Sequence, residues 1–132
     1  MVVLIVDSSI HILESITNLL SETGDTMLIH TALTYAEAIT LFNETEPSVV
    51  ILDRSLPENK SIDFLKHIKS SGIKTNIICL SSRVDNNIEA QCKLLGADFF
   101  LDKYNEFERI PIMLRAIIRN HTVVKIKEEK PK

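Results

Sequence analysis

The sequence has little of what marks a secreted or membrane protein. It contains only two cysteines, Cys79 and Cys92, with twelve residues between them, which is neither a CxxC motif nor a disulfide framework. We therefore expect two reduced thiols, as in a cytoplasmic protein. No apolar run approaches the length of a membrane span, and the opening MVVLIV is too short for a signal peptide's apolar part, so we expect neither.

A strong excess of one charge is also lacking. Fifteen basic and eighteen acidic side chains give a formal net charge of −3, so the chain has no basic footprint for direct contact with nucleic acid. We find no internal repeat, no low-complexity segment and no sign of a second domain. With 132 residues, the chain has the length of one soluble domain that can bury a core.

Short apolar runs alternate with segments of helical periodicity along the chain. The runs are near-continuous in apolar residues, as buried parallel strands tend to be. Thr34 and Glu37 form a capping box at the start of the second helical segment. Five such units predict an α/β fold with a doubly wound, five-stranded parallel sheet and helices on both faces. The predicted strands cover residues 2–6, 27–31, 49–52, 77–80 and 99–101.

The helical pattern fades near the C-terminus. The last helix carries Ile110, Leu114 and Ile117 at helical spacing, and Pro111 is tolerable only in its first turn. From residue 121 the sequence becomes polar and loses its periodicity. We therefore expect one domain over residues 1–120, followed by a flexible polar tail over residues 121–132.

Four of the five apolar runs stop at a polar residue suited to phosphoryl chemistry. These residues are Asp7, Asp53, Ser81 and Lys103, after the first, third, fourth and fifth runs. Parallel strands end together at one edge of their sheet, and open α/β sheets bind ligands at that edge. Two carboxylates, a hydroxyl and an ammonium gathered there indicate a site for phosphate and a metal ion.

The same strand ends carry a resemblance to a known family. The strings LIVDSS, VVILDRSLP and GADFFLDK, with the serine pair after IICL, resemble the receiver domain of two-component response regulators over roughly residues 1–120. The ordered set is specific because each element stands at its own strand end. The resemblance implies a flavodoxin-like fold with strand order 2-1-3-4-5 and five helices. It also implies that an aspartate accepts a phosphoryl group from a histidine kinase or a phosphotransfer protein.

The resemblance implies a role for each polar residue. Asp53 matches the phosphoacceptor, Lys103 the lysine that pairs with the acceptor and then with the phosphoryl group, and Ser81 the hydroxyl that reaches a phosphoryl oxygen. Asp7, Asp53 and the carbonyl of Ser55 match the positions that hold Mg²⁺, a cation that prefers hard oxygen ligands. Such a domain is not a classical enzyme: the resemblance implies self-catalysed phosphoryl transfer to Asp53 and slow autodephosphorylation.

The resemblance also implies binding partners. A histidine kinase or phosphotransfer protein would supply the phosphoryl group. A downstream effector would bind the face formed by the fourth helix, the fifth strand and the fifth helix. The sequence leaves open whether two copies pair into a homodimer through the last helix.

The sequence departs from the family pattern at three positions. Ser8 stands where the family has a second acid that binds the metal directly, so we expect weak Mg²⁺ binding and slow phosphorylation. Tyr104 stands where a proline often follows a cis bond, so we expect a trans bond and an altered loop. Phe100 stands at an aromatic position but lacks a hydroxyl to hydrogen-bond. Ser8 and Tyr104 keep a second hypothesis open, a pseudo-receiver that serves as an interaction module and signals without phosphorylation.

Overall fold

Five parallel strands form one sheet. The computed structural model describes residues 1–24, 26–83 and 85–129, with side chains described through Arg119. The strands lie in the order β2-β1-β3-β4-β5, and every neighbouring pair is parallel. The flavodoxin-like strand order expected from the sequence is therefore confirmed. The strands are β1 (Val2–Val6), β2 (Leu28–Ala32), β3 (Val49–Asp53), β4 (Asn76–Ser81) and β5 (Phe99–Asp102).

Across the residues that the structure describes, five α-helices connect the strands or follow the last one. Ser9, Thr34 and Asp85 each accept a hydrogen bond from a backbone N–H in the first turn of the helix that they precede. In the predicted capping box, the Glu37 N–H donates to Thr34, while the Glu37 carboxylate accepts from the N–H of Leu33. The helices are α1 (Ile10–Ser21), α2 (Tyr35–Thr45), α3 (Lys60–Ser71), α4 (Asn86–Leu94) and α5 (Ile110–Glu129).

The sheet separates two apolar clusters. Successive residues of a strand point to opposite faces, so Val3 packs with α1 and α5, whereas Leu4 packs with α2, α3 and α4. The α1/α5 cluster consists of Val3, Ile5, Leu13, Ile16, Leu20, Val49, Ile51, Ile78, Leu80, Leu101, Ile110, Leu114 and Ile117. The α2/α3/α4 cluster consists of Leu4, Val6, Ala32, Ala38, Phe42, Val50, Leu52, Leu56, Phe64, Leu65, Ile68, Ile77, Cys79, Cys92 and Ala97.

The helices of the α2/α3/α4 cluster are packed unevenly. α3 buries four side chains, and the largest of them, Phe64, meets the ring of Phe42 edge-on with 5.9 Å between centroids. α4 buries Cys92 and no other residue of its nine. The sequence pattern predicts Ile62 as part of the buried face of α3, but Ile62 is half-buried and Phe64 is fully buried.

The structure extends the last helix beyond its predicted end. α5 continues to Glu129, whereas the sequence pattern predicts a flexible tail from residue 121. Neither glycine nor proline occurs between Pro111 and Pro131, so helix propensity does not oppose the continuation. Residues 130–132 lie outside the described residues, and the division at residue 120 stays a prediction. Within the described parts of the chain, no helix is both long and apolar enough to cross a bilayer.

Candidate functional site

Four polar residues lie at one edge of the sheet. Asp7 directly follows β1, Asp53 ends β3, Ser81 ends β4, and Lys103 directly follows β5. Asp53 is paired with Leu80 in the sheet, so Ser81 lies one residue beyond it. All four residues are buried, with 8% of Lys103 exposed and at most 2% of each of the others. Because burying ionisable groups is unfavourable unless they are paired, this edge is a built polar site.

A lysine ammonium lies between the two carboxylates. Lys103 Nζ is 2.7 Å from Asp7 Oδ2 and 3.5 Å from Asp53 Oδ2. The shorter distance is that of a close ion pair, and the longer one is a weaker contact. The structure therefore brings Asp7, Asp53 and Lys103 together, and it places the lysine nearer to Asp7 than to the predicted phosphoacceptor.

Burial and ion pairing shift the pKa values of Asp53 and Lys103 in opposite directions. Burial raises the pKa of Asp53 above its ordinary value, and a hydrogen bond from Ser55 offsets part of this; the Asp7 charge raises the pKa further, while Lys103 lowers it. Burial alone would lower the pKa of Lys103, but its contacts with Asp7 and Asp53 outweigh burial and raise that pKa. The lysine is therefore charged at neutral pH, and it offsets one of the two carboxylate charges.

The backbone fixes the orientation of both carboxylates. The Ser9 N–H donates to Asp7 Oδ1 at 2.8 Å, and the Ser55 N–H donates to Asp53 Oδ1 at 3.0 Å. Each hydrogen bond reaches back two residues, as in an Asx turn. Each aspartate therefore has one oxygen held by its own loop, while its Oδ2 faces the lysine. This arrangement leaves Asp53 Oδ2 as the carboxylate oxygen that its own loop does not hold.

Ser61, which the sequence interpretation missed, holds the loop after Asp53. It is fully buried in the first turn of α3. Its hydroxyl donates to the Asp53 carbonyl at 2.5 Å and accepts from the Leu56 N–H at 3.2 Å. Without this hydroxyl, the two buried backbone groups would lose these hydrogen bonds, which is unfavourable inside the fold. The sequence signal for this role is a serine on the apolar face of a helix, three residues before Phe64.

The Ser81 hydroxyl is engaged by its own loop. It donates to the Arg83 carbonyl at 2.8 Å and accepts from the Arg83 N–H at 3.2 Å. The resemblance implies that this hydroxyl reaches a phosphoryl oxygen on Asp53. In the structure described, that movement would break both bonds to Arg83 and release the loop that leads into α4.

An aspartate organises the loop after Lys103. The bond between Lys103 and Tyr104 is trans, as expected from the sequence. The Asp102 carboxylate accepts from the N–H groups of Asn105 at 3.0 Å and Tyr104 at 2.9 Å, and these bonds lower the pKa of Asp102. The Glu106 carboxylate accepts in turn from the Asp102 N–H at 3.0 Å. Side-chain hydrogen bonds therefore order this loop, where the family pattern has a proline ring.

An open groove lies beside the lysine. It has a volume of about 430 Å³ and lies between α1 and the loop after β5, with Ile12, Tyr104, Phe107 and Lys103 among its lining residues. Lys103 contributes both to this groove and to the carboxylate pair. Any molecule that entered the groove would therefore come close to the four polar residues at the edge of the sheet.

The oxygen donors at this edge fit a hard cation. Asp7 and Asp53 supply anionic oxygens, and a backbone carbonyl such as that of Ser55, together with waters, would complete the ligand set that Mg²⁺ prefers. Ser8 is exposed and offers only a hydroxyl. Within the part of the chain that the structure describes, no three His, Cys, Asp or Glu side chains group closely enough to hold a metal. The donor set thus fits Mg²⁺ with two carboxylates rather than three.

Phe100 lies in the middle of β5 and packs, half-buried, against the α2/α3/α4 cluster. It is paired with Cys79 across the sheet, two residues before Ser81 on the neighbouring strand. Its ring can therefore respond to movement of β4 by packing alone, since phenylalanine has no hydroxyl.

A family model and several relatives match this chain. The model of the response regulator receiver domain matches residues 3–115, a range that includes Asp7, Asp53, Ser81 and Lys103. The chain is 32% identical over 120 residues to the transcriptional regulatory protein KdpE of Mycobacterium tuberculosis, which covers 91% of this chain and 52% of that protein. It is 30% identical over 95 residues to a protein-glutamate methylesterase/protein-glutamine glutaminase of Nocardioides, which covers 72% of this chain and 26% of that protein. The chain thus spans about half the length of the first relative and about a quarter of the second.

Solved structures share the fold. The receiver domain of the Francisella response regulator 1452 superposes with a TM-score of 0.82 at 23% identity, covering 91% of this chain and 98% of that one. The BeF3-activated receiver domain of DrrB superposes with a TM-score of 0.77 at 23% identity, covering 89% of this chain and 97% of that one. Such identities show the fold alone, whereas the family model and the likeness to KdpE extend to sequence. The chain belongs to the response regulator receiver domain family.

Proposed function

We propose that this chain is the phosphoacceptor of a two-component pathway and that Asp53 receives the phosphoryl group from a histidine kinase or a phosphotransfer protein. The observation that supports the proposal is the buried Asp7–Lys103–Asp53 arrangement at the carboxyl edge of the sheet. An ordinary structural ion pair needs one carboxylate, and here a second one faces the same ammonium. The site therefore has one carboxylate more than the lysine neutralises. A cation could bind beside that extra negative charge, or another anionic group could draw the lysine away.

Positioning and charge do most of the chemistry in this proposal. Asp53 Oδ2 attacks the phosphorus of a phosphohistidine, an O–P bond forms, and the N–P bond breaks as the imidazole leaves with its electron pair. Lys103 then moves its ammonium from between the carboxylates toward the phosphoryl oxygens. Held by Asp7, Asp53 and the Ser55 carbonyl, Mg²⁺ would neutralise phosphoryl charge. The transfer is self-catalysed by the receiver, and autodephosphorylation is slow.

Ser8 sets the strength of the proposed metal site. A third carboxylate is absent from the first turn after β1, so the cation meets two anionic ligands, and Lys103 competes for both of them. We expect weak Mg²⁺ binding and slow phosphorylation, and Ser8→Asp should tighten Mg²⁺ binding. Titration of Mg²⁺ against both proteins by calorimetry measures this, and equal affinities would contradict it.

Phosphorylation would act on the loop after β4. The aspartyl phosphate would carry roughly −1.5 to −2 charges in place of the single carboxylate charge, and these would draw Lys103 and the Ser81 hydroxyl toward Asp53. Ser81 would then release Arg83, and α4 would shift with its loop. The downstream effector is expected to bind the face of α4, β5 and α5. We also propose that two copies can pair into a homodimer through α5.

The pathway proposed here operates in the cytoplasm without direct nucleic-acid contact by this chain. Both cysteines are free thiols, which suits a reducing compartment. The formal net charge of −3 gives no attraction for a phosphate backbone. The relative KdpE, named as a transcriptional regulatory protein, is about twice as long as the matched segment, so its role in transcription is not transferred to this chain.

Mass spectrometry tests the acceptor directly. Incubation with acetyl phosphate and Mg²⁺ should add the mass of one phosphoryl group, and omission of Mg²⁺ should sharply reduce that addition. Asp53→Asn should abolish it, because an amide cannot act as the nucleophile. Asp63→Asn, which changes a half-exposed aspartate on α3, is the matched control and should leave it unchanged. Survival of the added mass in Asp53→Asn would implicate another acceptor and overturn the assignment.

A pseudo-receiver is the second candidate function. The observation that favours it is the 2.7 Å contact by which Lys103 already pairs with Asp7, together with serine at position 8. Such a protein would keep the fold and the effector face but would signal without phosphate. Binding of Mg²⁺ with beryllofluoride, a phosphoryl mimic, separates the two functions: chemical-shift changes around Asp53 and Ser81 support phosphoryl chemistry, and their absence supports the pseudo-receiver.

A further inference from the structure

The two cysteines, which the sequence predicts to be separate reduced thiols, lie in the same buried cluster. Cys79 is in the middle of β4 and Cys92 is on the inner side of α4, and both belong to the α2/α3/α4 cluster. They are 0% and 1% exposed, and each thiol shifts the pKa of the other. Both are free in the structure. Cys79 is paired in the sheet with Leu52, two residues before Arg54, and Arg54 contacts Gln91, the residue before Cys92. The strand and the helix that covers it thus bring the two cysteines to the same region of the core.

An arginine makes the two thiols unequal. The Arg54 side chain extends from the end of β3 and donates to Gln91 Oε1 on α4 at 3.0 Å, which places its charge beside Cys92. The hydrogen bond from Cys79, followed by the Arg54 charge, lowers the pKa of Cys92 to about 7, against the opposing effect of burial. The same hydrogen bond and burial raise the pKa of Cys79 well above its ordinary value. The two thiols are therefore unequal: the pKa of Cys92 is lowered, and that of Cys79 is raised.

From this geometry we propose that Cys79 and Cys92 form a redox modification site, in which a peroxide oxidises the pair to an intramolecular disulfide that joins β4 to α4. The proposal goes beyond phosphoryl transfer and does not depend on it. The cysteines take no part in the Asp7–Lys103–Asp53 arrangement.

The chemistry needs only the two thiols and a hydroperoxide. The Cys92 thiolate attacks one peroxide oxygen, the O–O bond breaks, and Cys92 becomes a sulfenic acid while hydroxide leaves. Cys79 gives up its proton and attacks the sulfenic sulfur, the S–S bond forms, and a second hydroxide leaves and is protonated to water. In total, two thiols and one hydrogen peroxide yield one disulfide and two waters.

Loose packing of α4 provides access for the oxidant. Cys92 is the one buried residue of this helix, and Leu94 near its end is 78% exposed. Its Glu89–Lys93 ion pair is on the surface and holds the helix weakly. Local opening of such an element is far easier than global unfolding. Once formed, the disulfide would hold α4 against β4 at a point two residues before Ser81, and it would restrict the loop that Ser81 anchors.

Thiol counting and intact mass test the proposal on the full chain. Hydrogen peroxide without any phosphodonor should remove both alkylatable thiols together and lower the mass by two hydrogen atoms, and a thiol reductant should reverse both changes. Peptide mapping should recover a Cys79–Cys92 crosslink in a species that stays monomeric on a non-reducing gel. Addition of oxygen atoms to Cys92 while Cys79 remains alkylatable would overturn the proposal, and so would covalent dimers or two thiols that stay unreactive.

Substitutions of Cys79, Cys92 and Arg54 test the role that each residue has in the oxidation. Cys79→Ala should leave Cys92 able to reach the sulfenic acid, which dimedone traps, whereas Cys92→Ala should leave a thiol that reacts many-fold more slowly. Arg54→Gln should slow oxidation of the wild-type pair several-fold, and Arg54→Lys should restore part of the rate because it keeps the charge. Equal rates in all four proteins would show that Cys92 is not the activated thiol. Amide exchange in α4 should slow on oxidation, measured against α3 in the same sample.

Discussion

The helices that follow β3 and β4 are held very differently, although both cover the same face of the sheet. α3 buries four side chains, including Phe64, and its Ser61 is hydrogen-bonded to the loop after Asp53. α4 buries Cys92 alone. The polar edge of the sheet therefore has a firm half, defined as β1, β3 and α3, and a half with a loosely packed helix, called the loose half and defined as β4, α4 and β5. Lys103, from the loose half, is paired with Asp7 and Asp53 of the firm half. We infer that Asp53 is held more firmly than α4, which is freer to move.

Truncation of the core on each side should give the largest difference. Phe64→Ala should lower the free energy of unfolding by about 4 kcal/mol, because it leaves a large cavity beside Phe42. Cys92→Ala, on the loose half, should cost about 1 kcal/mol, because it removes one small side chain. Urea denaturation of both variants measures this contrast. Equal losses would mean that α4 is as firmly packed as α3.

Removal of the tie between the halves should give the next largest effect. Asp7→Asn deprives Lys103 of its 2.7 Å partner and leaves it with Asp53 alone at 3.5 Å. We expect a loss of about 2 kcal/mol, less than for a wholly orphaned buried charge, because one carboxylate remains. Asp63→Asn, which breaks an exposed pair with Lys60, is the control and should change stability by less than about 0.5 kcal/mol. If the two variants unfold alike, the lysine does not join the halves.

The hydrogen bonds of Ser61 sharpen the comparison within the firm half. Ser61→Ala leaves the Leu56 N–H and the Asp53 carbonyl without a hydroxyl partner in a buried setting, so we expect a loss of about 1.5 kcal/mol. Ser70→Ala, in the same helix but exposed, serves as the control. Denaturation curves report stability, and the rate of acetyl phosphate labelling should fall for Ser61→Ala alone. A labelling rate equal to the wild type would show that the loop does not depend on this serine.

The pH dependence of stability should show the smallest effect. The pKa of Asp53 is raised in the folded protein, so the unfolded chain loses this proton at a lower pH than the folded protein does. Asp53 therefore does not affect the free energy of unfolding at low pH. It lowers that free energy as the pH rises from the pKa of Asp53 in the unfolded chain through its pKa in the folded protein. Asp53→Asn should thus be more stable than wild type at neutral pH, with the advantage fading in acid. A stability difference independent of pH would contradict the raised pKa.

The convergence of strand ends could be predicted from the sequence because it follows from topology. Asp7, Asp53 and Lys103 each stand at the end of an apolar run, and parallel strands must end together. The distances within the site could not be predicted in this way. Whether Lys103 lies closer to Asp7 or to Asp53 depends on side-chain rotamers and on the shape of two loops, which short-range patterns do not encode.

The missed residues share a physical cause. Ser61 has no distinctive spacing, because its partners are backbone groups of a loop that only the folded helix brings within reach. The apolar pattern of α3 does not single out Phe64, because adjacent positions on a helix can both fit an apolar face, as Phe64 and Leu65 do. The contact between Cys79 and Cys92 depends on how one helix rotates over one strand, a long-range property that counting cysteines does not reveal.

The sheet that separates the α1/α5 cluster from the α2/α3/α4 cluster has a consequence for engineering. Side chains on opposite faces of a strand do not share a cavity, so a change that fills or empties space in one cluster leaves the packing of the other intact. Stabilising substitutions from the two clusters should therefore combine additively to within about 0.5 kcal/mol. Each cluster could then be optimised in a separate library of variants. The best substitutions from the two libraries could be combined without screening every combination.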